Sequence, residues 1–183
     1  MKKERRGFTI VEMLAVIGVI AILASIIVSV ASSSIKSARS KRADAMCNSL
    51  QQAIAAYYAQ EGKWPGSIEG ETDSAAEGRD TKKFEGTQAD KIFQEVVGKG
   101  YGRGGKKSML VDVSALFVCE SGAANNKRAR GYNFSEVTGS GAKHRIGLNQ
   151  MAFGYQDEGS GYFRRFEVEY KYRTDTVKVK KQE

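Results

Sequence analysis

The residues with the clearest chemical potential lie at the start of the chain, around the carboxylate of Glu12. This carboxylate stands at the beginning of an apolar run, residues 13–30, that contains no charged residue. An acid inside or beside a membrane segment is costly and marks a functional site. Directly upstream, Gly7 and Phe8 follow a leader with four basic residues and one acid.

Other reactive side chains are few. His144 is the only histidine, which excludes a metal cluster or a proton relay built from several histidines. Asp157, Glu158 and Asp175 fall in predicted loops, where carboxylates bind calcium in some proteins. Their spacing is not that of an EF-hand, and we expect them to be solvated turn residues. No catalytic constellation can be assembled from this sequence, so we predict that the chain is not an enzyme and needs no cofactor.

One long helix must position the carboxylate at the start of the chain. The apolar run and the residues just before it supply the roughly 20 apolar residues that cross a bilayer as a helix. Between residues 32 and 60, apolar residues recur at steps of three and four, which predicts an amphipathic continuation. Phe8–Gln60 contains no proline and one glycine, Gly18. The sequence therefore predicts a single helix that Gly62 and Pro65 end.

The part that follows the helix reads as an α+β head. We expect an exposed loop over residues 66–86 and a helix that starts with the capping pair Thr87 and Asp90. Trp64 is expected to anchor a loop onto the head. The predicted strands are Met109–Val113, Ala115–Cys119, Gly131–Val137, His144–Leu148, Tyr162–Tyr172 and Thr176–Val179. An antiparallel sheet packed against the amphipathic half of the helix would bury both apolar faces.

Two cysteines are candidates for a disulfide. Cys47 neighbours the apolar stripe of the predicted helix, and Cys119 ends a strand that should pack on that helix. A bond between them would close a long loop and stabilise the head by about 4 kcal/mol in the chain-entropy model. The alternative is a pair of buried free thiols. Both alternatives are open at the level of sequence.

The start of the chain resembles the class III signal of type IV pilins and type II secretion pseudopilins. A basic leader, Gly7 and then the run Phe8-Thr9-Ile10-Val11-Glu12-Met13-Leu14 carry this resemblance. It implies that a prepilin peptidase cleaves between Gly7 and Phe8, that Phe8 is then N-methylated, and that Glu12 serves filament assembly. The helix ending, which runs from Tyr57 to Trp64-Pro65, is similar to that of pseudopilins. Many family members carry a proline partway through the membrane helix, and this chain has none there.

The resemblance implies a domain organisation and a cellular setting. Residues 1–7 form the leader, residues 8–31 form the transmembrane half of the helix, and residues 32–183 form the pilin-like head. The protein is expected in the inner membrane as a single-pass subunit with its head periplasmic or extracellular, in a filament with copies of itself and other pilins. The implied function is that of a type II secretion pseudopilin. Alternatives are a surface type IV pilus subunit and a minor pilin for DNA uptake.

Two basic clusters late in the chain are relevant to the alternative of a minor pilin for DNA uptake. The segment Lys127-Arg128-Ala129-Arg130 and the C-terminal residues Lys178, Lys180 and Lys181 are candidates for contact with nucleic acid. Solvated loop charge and edge-strand charge account for the same residues more simply. We therefore expect nucleic acid not to be the main partner.

Overall fold

The computed structural model contains helices, strands and two short 3₁₀ turns in two units, Met1–Ala38 and Arg39–Glu183. The residues it describes are 9–72, 80–100, 112, 116–138, 141–142 and 144–182. The helices are α1 (Ile10–Glu61), α2 (Gly66–Thr72), α3 (Thr87–Gly100) and α4 (Phe134–Thr138). The strands are β1 (Thr81–Phe84), β2 (Phe117–Glu120), β3 (Tyr132–Asn133), β4 (Met151–Gln156), β5 (Phe163–Lys171) and β6 (Thr176–Lys181).

The predicted long helix is confirmed over the described residues. Helix α1 is 52 residues long and unbroken, as expected for a stretch without proline. It ends where the sequence predicts, because Gly62 adopts a left-handed φ of 70° and its N–H donates to the Tyr58 carbonyl at 2.9 Å. A left-handed residue just past a helix closes its last turn, and glycine adopts that conformation without strain.

In the N-terminal unit, the apolar side chains lie on the surface of the single chain. Ile10 is 81% exposed, Ile20 57% and Val30 58%. Among the described residues, α1 is the one helix long and apolar enough to cross a membrane, by length and composition. Its side chains lose their contact with water only if lipid or other helices cover them.

In the head unit, the strands form one antiparallel sheet in the order β1-β5-β4-β2-β3, with β6 also paired to β5. Strand β5 is central because it pairs with three others. Its first residues, Phe163 to Arg165, pair with β4, and its later residues pair with both β1 and β6. The predicted α+β class, with a C-terminal antiparallel sheet, is confirmed.

The main core of the head lies between helices and one face of the sheet. Leu50, Ile54 and Tyr57 of α1 are fully buried in it. Helix α3 contributes Phe93, whose ring lies 5.8 Å from that of Phe153 on β4. The amphipathic spacing read from the sequence thus corresponds to burial, since the apolar positions of α1 face this core.

A second, smaller cluster lies on the other face of the sheet. It consists of Cys119, Ala129, Ala152 and Phe163. Side chains alternate between the two faces along a strand, so Val118 joins the main core whereas Cys119 joins the second cluster. A short loop containing a 3₁₀ turn at Ala123–Asn125 precedes Ala129 and helps to cover this face.

Several local predictions are wrong. The predicted loop over residues 66–86 contains helix α2 and strand β1; its residues 73–79 lie outside the described residues. The predicted strand Gly131–Val137 is a two-residue strand followed by helix α4, and His144–Leu148 contains no strand. Strand β4 was not predicted at all. Most of the predicted strand Met109–Val113 lies outside the described residues.

Candidate functional site

The site at the start of α1 is a reciprocal hydrogen-bonding arrangement between Thr9 and Glu12. The Thr9 backbone N–H donates to Glu12 Oε2 at 2.8 Å, and the Thr9 hydroxyl donates to the same oxygen at 2.9 Å. The Glu12 N–H lies 3.3 Å from Thr9 Oγ1. This is a capping box, in which residues at the N-cap and N3 positions satisfy each other's backbone donors. Glu12 therefore has a local role in starting its own helix.

The capping box leaves part of the Glu12 carboxylate available. Both bonds from Thr9 end on Oε2, and no bond to Oε1 is seen among the described residues. A carboxylate accepts through both oxygens, so Oε1 can accept from a donor on another chain while the capping box stays intact. The predicted cleavage and methylation residues, Gly7 and Phe8, lie outside the described residues.

Two serine hydroxyls in the N-terminal unit are satisfied within the helix. Ser25 Oγ donates to the Ile22 carbonyl at 2.7 Å, and Ser33 Oγ donates to the Val30 carbonyl at 2.9 Å. Such back-bonding hides a polar group from an apolar surrounding. Within the described apolar part of α1, Glu12 is consequently the group whose polarity is not fully used by its own helix.

In the structure, Cys47 and Cys119 are buried free thiols, which is the second of the two alternatives that the sequence left open. The sequence placed Cys119 on a strand that packs on the long helix, and this part of the prediction holds. Its side chain, however, points to the opposite face of the sheet, while Cys47 lies in the main core. Burial raises the pKa of the Cys47 thiol to about 11 and raises that of Cys119 as well, so both stay protonated near neutral pH.

Trp64 anchors the end of α1 to the last hairpin, as expected. Its ring stacks on Tyr58 with centroids 4.3 Å apart. Its indole Nε1–H donates to Asp175 Oδ1 at 2.8 Å, and the Tyr170 hydroxyl donates to the same oxygen at 2.7 Å. Asp175 lies in the turn between β5 and β6 with a φ of 47°, a conformation that aspartate tolerates better than most residues. Burial and the bond to Asp175 raise the pKa of Tyr170.

The carboxylates considered for calcium do not converge. Asp157 lies in the turn before β5, where its Oδ1 accepts from the Ser160 N–H and hydroxyl, both at 2.6 Å. Glu158 is its neighbour, whereas Asp175 lies beyond the other end of β5. Among the residues that the structure describes, no group of three or more His, Cys, Asp or Glu residues could hold a metal ion.

The basic segment at residues 127–130 lies beside two surface hollows that share Arg130. One hollow, of about 390 Å³, contains His144 and Tyr132, whose rings are 6.0 Å apart. The other, of about 380 Å³, contains Arg42 and Tyr162. The sequence did not indicate that Arg42, on α1, and Arg130 meet at one surface. Lys178, Lys180 and Lys181 line a different hollow, beside Asp157 and Glu158.

A buried ion pair that the sequence analysis missed fixes α3 to the sheet. Arg165 Nε donates to Asp90 Oδ2 at 3.1 Å, and both side chains are at least nine-tenths buried. The same carboxylate accepts from the Ser121 hydroxyl and the Phe153 N–H. The Arg165 guanidinium also donates to the Ser121 carbonyl and to Asn125 Oδ1. The sequence analysis missed the pair because Arg165 is out of phase with the alternating residues Phe166, Val168 and Tyr170. Asp90 had been assigned to helix capping.

These observations define a class: a protein with a long N-terminal helix, apolar in its first part, and an α+β head with a C-terminal antiparallel sheet. Residues 2–28 match the prokaryotic N-terminal methylation motif, the prepilin-type signal of type IV pilins and pseudopilins. This match supports a type IV pilin-like or pseudopilin subunit, processed by a peptidase and assembled with other pilin subunits. Comparison of the chain with curated proteins and with solved structures finds no match.

Proposed function

We propose that this protein is a structural subunit of the pseudopilus of a type II secretion system. The observation that carries the proposal is the prepilin-type signal at residues 2–28, with Glu12 capping the first turn of the apolar helix. The helix ending at Glu61 and the Trp64 anchor are the second support, since this ending is similar to that of pseudopilins. The leader, residues 1–7, is removed by the prepilin peptidase at the cytoplasmic face.

The mature chain begins at Phe8, whose amine is methylated. Residues 8–31 then cross the inner membrane once, and residues 32–183 lie on its outer side. Basic residues of a leader stay in the cytoplasm, which fixes this orientation. No catalytic step is assigned to the subunit itself, and its partners are the peptidase, further copies and other pseudopilins.

Glu12 guides assembly by pairing with the Phe8 amine of a neighbouring subunit. The amine is positively charged and must lie in or against the bilayer, where an unpaired charge is costly. Glu12 Oε1 is the acceptor that the capping box leaves available. Pairing between chains favours one axial stagger of the helices, and it removes an uncompensated charge from the apolar surrounding only when a subunit joins the filament.

Two substitutions at Glu12 separate assembly from helix capping. Glu12→Gln keeps an oxygen that accepts from the Thr9 N–H, since glutamine serves the capping box as glutamate does, but it removes the charge. Glu12→Leu removes both. We expect both variants to insert and to be cleaved between Gly7 and Phe8, as intact mass would show. When overproduced, they should give far fewer filaments in sheared-cell fractions than the overproduced wild type.

If Glu12→Gln assembles at wild-type yield while Glu12→Leu does not, the carboxylate acts only as a cap, and the pairing mechanism is wrong. Electron microscopy of cells at native and at raised expression distinguishes a secretion pseudopilus from a surface pilus. A pseudopilin gives extended surface filaments only when it is overproduced. Abundant filaments at native expression would instead identify a surface pilus subunit.

A further inference from the structure

Cations gather at one end of the head unit, where four are exposed and Arg164 is half-buried. Two of them, Arg42 and Arg130, line a hollow of about 380 Å³ that Glu136 also lines. We name this surface the basic end; its members are Arg42, Lys127, Arg128, Arg130 and Arg164. Residues 127–145 contain five basic residues and one acid, Glu136. The side chains of Lys127, Arg128 and Arg130 are exposed, so this positive charge faces solvent.

Short contacts hold the basic end in place. The Arg164 guanidinium on β5 donates to the Lys127 carbonyl at 2.9 Å, and the Arg42 guanidinium donates to Asn133 Oδ1 at 2.8 Å. Gly131 follows Arg130 and passes directly over a ring, since a Cβ at residue 131 would lie 2.2 Å from Phe117 Cε1. Any side chain there would displace the segment that carries Arg130. The backbone that carries Lys127 and Arg130 is therefore held in place.

Carboxylates gather around the Tyr57 hydroxyl. Tyr57 donates to Glu95 Oε1 at 2.5 Å, and the Gly66 N–H donates to Glu95 Oε2 at 2.9 Å. Burial, the bond to Glu95 and the nearby charges of Glu61 and Glu69 all raise the pKa of Tyr57. We name the surface formed by Glu61, Glu69 and Glu95 the acidic end. Glu61 is exposed, and Glu69 and Glu95 are half-buried.

The two ends lie at opposite limits of the head. Arg42 and Glu61 are 19 residues apart on α1, which is about 28 Å along a helix. Strand β5 gives the same separation: its first residue, Phe163, bonds the Ala129 carbonyl beside the basic end. Near its last residues, Tyr170 bonds Asp175 together with Trp64, close to the end of α1. Its nine residues span about 30 Å.

We propose that the basic end of one head docks against the acidic end of a second copy of this chain, displaced along the long helix. The proposal rests on the proposed function and names which surfaces of the heads meet in the filament. Two different patches on one molecule make a heterologous interface, which repeats without closing and so builds an open filament. A symmetric pairing of like ends would place cations against cations, which is unfavourable.

Charge reversal with rescue tests this docking in cells that overproduce and process the full chain. Arg130→Glu reverses an exposed charge of the basic end, and Glu61→Lys reverses one of the acidic end. Neither should harm folding: Arg130 is exposed, and a lysine at the last residue of α1 suits the helix dipole. Lys91→Glu, an equal change of charge on the exposed face of α3, is the matched control.

We expect each single reversal to lower the yield of sheared filaments about tenfold, the scale of one close charge pair at an interface. The double variant Arg130→Glu with Glu61→Lys should regain most of the yield, because the pair is restored with opposite sign. Lys91→Glu should assemble like the wild type. Raised salt should weaken the contact between the basic and acidic ends, so that sheared wild-type filaments release subunits more readily.

Three results would overturn the docking. Single reversals that assemble normally would show that the charged ends do not meet, as would a double variant no better than either single one. If Lys91→Glu lowered the filament yield as much as Arg130→Glu, the loss would be an effect of net charge alone. In each case wild-type filaments would still form, so the proposed function would stand. Absence of any wild-type filament or oligomer would instead refute the proposed function.

Discussion

The N-terminal unit and the head bury their apolar side chains in different ways. In the N-terminal unit, the side chain of Ile20 is 57% exposed. In the head, Phe93 is fully buried and its ring contacts those of Phe153 and Phe166. An apolar side chain in the first unit needs only to be apolar, whereas one in the head must also have the right shape.

The two units also differ in their polar groups. In the N-terminal unit, the carboxylate of Glu12 is exposed and accepts bonds from Thr9 within its own first turn. In the head, the strongest polar arrangement is the buried pair of Asp90 and Arg165, whose bonds hold α3, β4 and the loop after β2 together. Under the proposed function, the carboxylate of the first unit pairs with another chain, whereas the buried ion pair of the head acts within the chain.

The largest effect that tests this contrast is a core truncation. Phe93→Ala should lower the free energy of unfolding of the head by about 4 kcal/mol, because it removes a buried ring and leaves a cavity. Ile20→Ala should leave that free energy unchanged. Urea unfolding of the detergent-solubilised full chain would measure both, followed by fluorescence of Trp64, the only tryptophan. Equal losses for the two variants would remove the distinction between the units.

The sequence predicted best where one pattern decided the structure. The ends of α1 follow from the absence of proline and from Gly62, and β5 follows from alternation at Phe166, Val168 and Tyr170. Strand β4 was missed because Gly154 interrupts its pattern. In the structure, a Cβ at residue 154 would lie 1.9 Å from the Arg164 carbonyl oxygen. Glycine is required there by a neighbouring strand, which no local pattern reveals.

The candidate site shows the same limit. Glu12 was identified from its place at the head of an apolar run, but its capping bond to Thr9 was not, although the pair has the Thr-x-x-Glu spacing of a capping box. The free thiols, the Asp90–Arg165 pair and the meeting of Arg42 with Arg130 depend on which face of a strand or helix each side chain occupies. Predicting these features requires the register of the sheet, which the spacing of residues in the sequence does not supply.

The next largest effect concerns the buried ion pair of the head, Asp90 and Arg165. Arg165→Met leaves Asp90 as a buried carboxylate without its cation, which should cost about 3 kcal/mol of unfolding free energy. The double variant Asp90→Asn with Arg165→Met should cost less than the single one. Its neutral amide still accepts from the Phe153 N–H, and it leaves no uncompensated charge. Urea midpoints of the three proteins would measure this difference. A double variant less stable than Arg165→Met would show that the charge of Asp90 is not what the arginine compensates.

The smallest effect lies at the surface, at the turn that leads into β5. The Ser160 hydroxyl and N–H hold the pKa of Asp157 below its ordinary value, so the folded head favours the ionised form. A carboxyl group with a lowered folded pKa adds stability above its unfolded pKa of about 3.9, and this stability is lost as the pH falls through the folded pKa. Because the group is near the surface, the gain is below about 1 kcal/mol.

Between pH 7 and pH 3, the wild type should therefore lose slightly more unfolding free energy than Asp157→Asn, which keeps an oxygen for Ser160 but does not titrate. Ser160→Ala removes the hydroxyl donor and should reduce the same difference. If Asp157→Asn and the wild type lose stability equally, the turn is held by its backbone, and charge contributes to this head only where it is buried or meets another chain.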